Sequence, residues 1–220
     1  MIHIGMKIVL SGVLGCALTS AVLAAPKPLP APAPAPTKAT IGAKAPAFTL
    51  TDTDGKAHQL SDYAGKIVVL EWFNAGCPYS GGKANFSVNG GGKSAALRAK
   101  LKEVDPNVVY LLIDSSSNRD MATVIADDQK AKKELKIEPP ILIDHDGVVG
   151  RKYDARTTPH MYVIDSKGVL RYQGAFDDDR KNRKGDEATN HVLDAVKAIK
   201  KGEDPSPATT RPWGCSVKYA

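Results

Sequence analysis

Cys77 is followed at once by Pro78, Tyr79 and Ser80, and it comes soon after the apolar run Ile67-Val68-Val69-Leu70. A thiolate in such a place attacks disulfides and peroxides. The β-branched run reads as a strand buried on both faces. Pro78 suits the first turn of a helix, where a missing N–H costs nothing. Cys77 is therefore expected where a strand passes into a helix, with the positive end of the helix dipole biasing it toward thiolate. Two other elements bear on it. Thr157-Thr158-Pro159 leads into a second apolar run, Met161-Tyr162-Val163-Ile164, and Cys215 lies between Gly214 and Ser216 on a tail containing Pro205, Pro207 and Pro212. Disulfide exchange needs a second thiol, internal or external. Cys77 and Cys215 as a redox pair, as a static bridge or as separate thiols all remain open on the sequence.

Glu71, on or at the end of the first buried strand, is a candidate proton relay for the nucleophile. The plainer alternative is a strand-end carboxylate facing solvent or paired with a lysine. Trp72 and Phe73 are expected in the core and the wall of the site. Ser80 could donate a hydrogen bond to the thiolate. His160, beside Pro159, is the histidine expected nearest Cys77. His58, His145, His160 and His191 show no ligand spacing, so no metal is expected, and no cofactor either. Gly91-Gly92-Lys93-Ser94 invites a phosphate-loop reading. That pattern needs glycine where Ser87 stands and a preceding strand, and it is rejected. Asp177-Asp178-Asp179 followed by Arg180-Lys181 is expected to be a solvated loop.

The elements that must position these residues alternate along the chain. Phe48-Thr49-Leu50 reads as a short strand, with a turn at Asp54-Gly55. A single helical turn is expected from Pro78, then an irregular glycine-rich loop. A helix resumes at Ser94, with Ala95, Ala96, Leu97 and Leu101 on one face. Val108–Ile113 and Ile141–Ile143 read as strands, Met121–Leu135 as a helix, and Met161–Ile164 with Val169–Tyr172 as a hairpin. Asn190–Lys200 is the last helix, with Val192, Val196 and Ile199 on one face. This order predicts an α/β sandwich around a central mixed sheet flanked by helices.

Composition bounds the function. The 220 residues carry a formal charge of +6, with 25% charged, 42% hydrophobic and 6% aromatic residues. That suits one soluble domain plus some sequence outside it. Acidic residues are mixed among the basic ones and aromatics are few, which argues against a nucleic-acid partner. Lys7, the apolar stretch Ile8–Leu23 and the small residues of Val22-Leu23-Ala24 read as a signal peptide over 1–24. The protein is then periplasmic or otherwise extracytoplasmic, meeting the membrane only through that segment. Val13-Leu14-Gly15-Cys16 resembles a lipidation box, and a lipoprotein at Cys16 is the alternative. Ala25 to Pro36 alternates proline and alanine as a spacer of polyproline type, within a linker over 25–40. The domain is expected over 41–204 and a cysteine-containing tail over 205–220.

In this order, several segments resemble the thioredoxin-like redoxins of the AhpC/TSA superfamily, in particular their peroxiredoxin-like branch. They are Gly42-Ala43-Lys44-Ala45-Pro46-Ala47-Phe48, Gly65-Lys66 to Asn74, Cys77-Pro78, Thr157-Thr158-Pro159-His160, Val163-Ile164-Asp165, Tyr172-Gln173-Gly174-Ala175 and Trp213 to Tyr219. The resemblance implies a thioredoxin-like sandwich. It makes Cys77 the nucleophile, puts Ser80 where the second cysteine of the motif would stand, and makes Pro159 a cis-proline packed beside the sulfur. Pro78, Ser80, Thr158 and Pro159 would then line a substrate groove, with Cys215 as the resolving thiol. The activity implied is thiol–disulfide exchange with protein thiols or disulfides of the cell envelope, or with a low-molecular-weight thiol. An AhpC/TSA-type peroxidase is the second reading. It would want a hydroxyl residue three before the cysteine and a proline seven before, where Asn74 and Leu70 stand. A non-catalytic binding module is the third.

Overall fold

The computed structural model describes residues 1–3 and 38–220. The apolar leader, Cys16 and nearly all of the proline–alanine segment lie outside the described residues. Among the described residues no helix is long and apolar enough to cross a membrane.

Strand β3 (Val68–Trp72) is buried at every position, as its unbroken apolar run requires. It lies in a seven-stranded sheet ordered β2-β1-β5-β4-β3-β7-β8, with β1 Thr49–Asp52, β2 Ala57–Gln59, β4 Val109–Asp114, β5 Ile141–Ile143, β7 Met161–Ile164 and β8 Leu170–Gly174. The pairs β3–β4 and β4–β5 are parallel; β3–β7, β7–β8, β1–β5 and β1–β2 are antiparallel. The sheet is therefore mixed, and with helices on both faces the fold is the expected thioredoxin-like sandwich.

Side chains alternate across β3, so its residues feed two cores. Val69 and Phe73 join Leu97, Leu101, Val163, Val192 and Val196 on one face. Val68, Leu70 and Trp72 join Leu111, Ile113, Tyr153, Tyr162 and Leu170 on the other. The first face is covered by helices α1 (Lys93–Val104) and α4 (His191–Lys201), the second by the short α3 (Val148–Tyr153). In α4, Val192 and Val196 are buried as expected. In α1 the inward residues are Ser94, Leu97 and Leu101, and Ala95 and Ala96 face solvent. Two methyl groups bury too little area to turn the helix toward them against two leucines.

Helix α2 (Met121–Glu134) begins where Asp120 accepts the Thr123 N–H at 2.8 Å. Asp120→Ala is expected to cost about 1 kcal/mol, the usual worth of such a cap. A denaturant midpoint unchanged by this substitution would show that the cap contributes nothing.

Candidate functional site

The chain leaves β3 through Asn74-Ala75-Gly76 and turns sharply at Cys77. The Cys77 N–H donates to the Asn74 carbonyl (3.1 Å), and the Cys77 carbonyl accepts from Ser80 (3.1 Å), Gly81 (2.9 Å) and Gly82 (2.9 Å). As expected, no more than one turn follows Pro78 before an irregular loop: residues 78–92 are turns and bends, with no regular helix. The glycines explain why. A Cβ on Gly90 would lie 1.9 Å from the Gly82 carbonyl oxygen, and one on Gly81 would lie 2.6 Å from Ala75 backbone. The loop folds back on itself through backbone contacts that only glycine permits. Cys77 thus sits on a tight turn, and a helix dipole is not what conditions its sulfur.

Its surroundings come instead from two distant segments. The Thr158–Pro159 bond is cis. Cys77 Sγ donates to the Thr158 carbonyl oxygen at 3.1 Å, and the side chain is 3% exposed. Strand β6 (Thr157–Thr158) pairs antiparallel with β9 (Cys215–Ser216), which sets Cys215 directly opposite Thr158. Neither cysteine is in a disulfide. Burial pushes the Cys215 thiol up to about 11, and its neighbour Cys77 adds to that rise. The Lys218 charge and the Tyr79 backbone N–H pull the other way. The tail therefore brings the two thiols side by side across 138 positions of sequence, counted from Cys77 to Cys215.

The tail is held along its length. Trp213 Nε1 donates to the Asp177 carbonyl (2.7 Å) and the Val217 N–H to the Arg156 carbonyl (3.0 Å). Tyr79 lies against Trp213, with ring centroids 6.2 Å apart, and the Arg180 guanidinium lies over the Tyr79 ring, 4.6 Å from its centre.

Glu71 is completely buried, which corrects the solvent-facing alternative. It accepts from Asn89 Nδ2 (2.6 Å), Tyr110 Oη (2.6 Å) and Ser94 Oγ (3.2 Å), and no lysine is among these partners. Burial raises its pKa, and those three donors oppose the rise. Asn89 Nδ2 also reaches the Ser80 carbonyl at 3.1 Å, so the carboxylate is tied to the turn behind Cys77. Asn89, Ser94 and Tyr110 carried no sequence signal of their own. Only the buried acid they satisfy could have pointed to them.

Other expectations need correction. Ser80 is fully buried, and among the described residues its hydroxyl has no hydrogen-bond partner. It lies behind the turn, not in an open groove, and it does not donate to the thiol. Pro78 is exposed, while Thr158 and Pro159 are buried under the tail. His160 Nδ1 accepts from the Arg156 N–H (3.2 Å) and lies 3.0 Å from the Tyr162 hydroxyl, which itself donates to the Tyr153 carbonyl (2.8 Å); it does not bond the cysteine. Burial, aided by the Arg156 charge, lowers its pKa to about 3, so the ring is neutral. The acidic run is not simply solvated. Asp177 is buried against Lys93, and buried Asp179 accepts the N–H groups of Arg183 (2.8 Å) and Lys184 (2.7 Å).

Residues 41–173, more than half of the chain, match the model of the AhpC/TSA family. The chain belongs to that family. Among curated relatives, a thiol-disulfide oxidoreductase ResA from Bacillus thuringiensis is 27% identical, covering 60% of this chain and 68% of that protein. ResA from Bacillus cereus is 26% identical over the same shares. An uncharacterized conserved protein from Geobacillus kaustophilus superposes with a TM-score of 0.68 at 25% identity, covering 82% of this chain and 93% of that one. A hypothetical protein from Sinorhizobium meliloti does so with a TM-score of 0.68 at 23% identity, covering 82% and 95%.

Proposed function

We propose that this AhpC/TSA-family protein is an exported thiol–disulfide oxidoreductase in which Cys77 attacks and Cys215 resolves. The observation that carries this reading is the pairing of β6 with β9. It holds two unbridged thiols together at one residue, Thr158, whose carbonyl accepts from Cys77 and whose strand partner is Cys215. The relatives named thiol-disulfide oxidoreductase support the same chemistry.

In the forward direction the Cys77 thiolate attacks one sulfur of a partner disulfide. A Cys77–partner bond forms, the partner disulfide breaks, and the electron pair leaves with the partner's other sulfur. The Cys215 thiolate then attacks the Cys77 sulfur. The Cys77–Cys215 disulfide forms and the partner leaves as a dithiol after taking up protons, so the partner is reduced by two electrons and the enzyme oxidised by two. Pro78, Thr158 and Pro159 form the wall around the reacting sulfur. Glu71 acts through Asn89, which bonds both its carboxylate and the Ser80 carbonyl, as a positioning group for the turn. The partners are protein thiols or disulfides, or a small thiol, in the compartment that the Lys7 and Ile8–Leu23 leader addresses. The peroxidase alternative gains no support: Asn74, at the hydroxyl position, commits its Nδ2 to Ser116 Oγ (2.7 Å), and Leu70, at the proline position, is core.

The test is a series of glutathione redox buffers with thiol trapping and mapping by mass spectrometry. A reversible Cys77–Cys215 disulfide is the expected result. Cys77 found only as a glutathione adduct, with Cys215 free throughout, would remove the intramolecular pair.

A further inference from the structure

The tail is shaped in a way that delivery of a thiol does not require. Thr157–Thr158 is a two-residue edge strand, and among the described residues its ladder partner is β9. An edge strand whose neighbour leaves is a template for another extended chain. We infer that the substrate edge beside Cys77 selects an extended partner segment with a glycine immediately before its cysteine, and that the chain's own tail is the resident occupant such a segment displaces. The inference rests on the reading above only in taking Cys77 as a reactive thiol.

The glycine requirement is steric. Gly214 has φ +131, and a Cβ there would meet the Thr158 carbonyl oxygen at 2.2 Å, its carbon at 2.8 Å and Pro159 Cδ at 3.2 Å. The first two are backbone atoms of the docking strand itself, so no side chain can swing away to relieve the overlap. Next come Cys215 against Cys77, then Ser216, which is exposed, then Val217, which packs on the second core cluster. Successive residues of an extended chain face opposite ways. The edge therefore reads glycine, cysteine, a polar residue, and an apolar residue.

A separate latch holds the tail outside that motif. Ser117 N–H donates to the Lys218 carbonyl at 2.8 Å. The Tyr219 ring lies in a slot made by two glycines: a Cβ on Gly147 would meet Tyr219 Cδ1 at 2.8 Å, and one on Gly150 would meet its hydroxyl at 2.3 Å. That hydroxyl donates to the Ala155 carbonyl (3.0 Å), and the Arg151 guanidinium lies 4.7 Å from the ring centre. A partner segment need not fill this slot. The latch therefore sets how readily the resident strand gives way, while the motif sets what replaces it.

The experiment uses the full chain in a Cys16→Ser, Cys215→Ser background. Its probe is a peptide copying residues 211–217, which stops short of the tyrosine slot, with the cysteine activated as a mixed disulfide with thionitrobenzoate. Cys77 thiolate attacks the peptide sulfur, a Cys77–peptide disulfide forms, and the coloured thionitrobenzoate anion leaves with the electron pair. The same peptide with alanine for its glycine is the control. The glycine peptide is expected to react about tenfold faster or more, since the alanine methyl forces the strand off its edge. Tyr219→Ala is expected to speed the glycine peptide about fivefold, the effect of losing roughly one hydrogen bond's worth of latch. Gly150→Ala, which fills the slot from the other side, should act in the same direction. Equal rates for the two peptides, or a glycine-peptide rate unmoved by both latch variants, would overturn the inference. Iodoacetamide separates the two claims. If Cys77 alkylates yet the peptides behave alike, only the docking strand is wrong; if it resists alkylation in every variant, the reactive-thiol reading fails and this one with it.

Discussion

Cys77→Ser is expected to lower turnover of disulfide substrates by about a thousandfold or more, while Cys215→Ser leaves the first step intact and halts the second. A serine hydroxyl fills nearly the same space but has no accessible anion at neutral pH, so the attacking species is lost. With Cys215 replaced, Cys77 still forms the mixed disulfide, and no neighbouring thiol is left to release it. Mass spectrometry should then find the partner trapped on Cys77, with steady-state turnover slowed by about a hundredfold. The pH dependence follows from the Cys215 thiol, pushed to about 11 by burial and by its neighbour Cys77. Below that value its thiolate fraction, and with it the resolving step, should rise about tenfold per pH unit. Stopped-flow measurement of partner release checks this. Sustained turnover by Cys77→Ser would end the assignment of the nucleophile. A Cys215→Ser enzyme that turns over normally and traps nothing would end that of the resolving thiol.

The residues that lay behind this pair were legible to different degrees. Ile67 to Leu70 and Met161 to Ile164 announce themselves as strands, because residues buried on both faces of a sheet leave an apolar run. The α4 stripe at Val192 and Val196 is equally plain. Strands β6 and β9 are two residues each. Nothing local favours them, since each exists only because the other arrives, and the tail that brings Cys215 to Thr158 is fixed by contacts with Asp177, Arg156 and Gly150. The glycines after Cys77 were visible as helix breakers, but not as points where one backbone strand rests on another. Glu71 misleads for a related reason: a carboxylate in an apolar run is usually at the surface, and only the convergence of Asn89, Ser94 and Tyr110 makes its burial tolerable. Asp177 and Asp179 likewise look solvated until Lys93 and the backbone of the following turn are placed against them.

A second buried acid site carries the other large expectation: Asp128→Asn should stabilise the protein at alkaline pH by about 2 kcal/mol, the scale set by one strongly perturbed carboxylate. Asp114, at the end of β4, and Asp128, on α2, are 2% and 1% exposed. Burial lifts both. It takes Asp114 to about 6 against the opposing donors of Ser116 and the charge of Arg119. It takes Asp128 to about 9, with the Asp114 and Asp127 charges adding to the rise. Each folded pKa lies above its unfolded value, so the folded state holds more protons than the unfolded one between the two. The pair's contribution is whole below about pH 4 and is lost as pH climbs through about 6 and then about 9. Asparagine keeps the shape of the protonated acid and has no carboxyl proton to lose. Denaturant unfolding at pH 5, 7 and 9 reads the effect: the wild-type stability should fall across both intervals, and that of Asp128→Asn should be nearly flat over the last. Parallel curves would mean that burial does not hold Asp128 protonated in the folded state. Because Asp128 lies beside the backbone of Ala75, two residues before the nucleophile, the same alkaline loss should loosen the Cys77 turn. The wild-type enzyme should then lose Cys77-dependent exchange above about pH 9 while Asp128→Asn retains it.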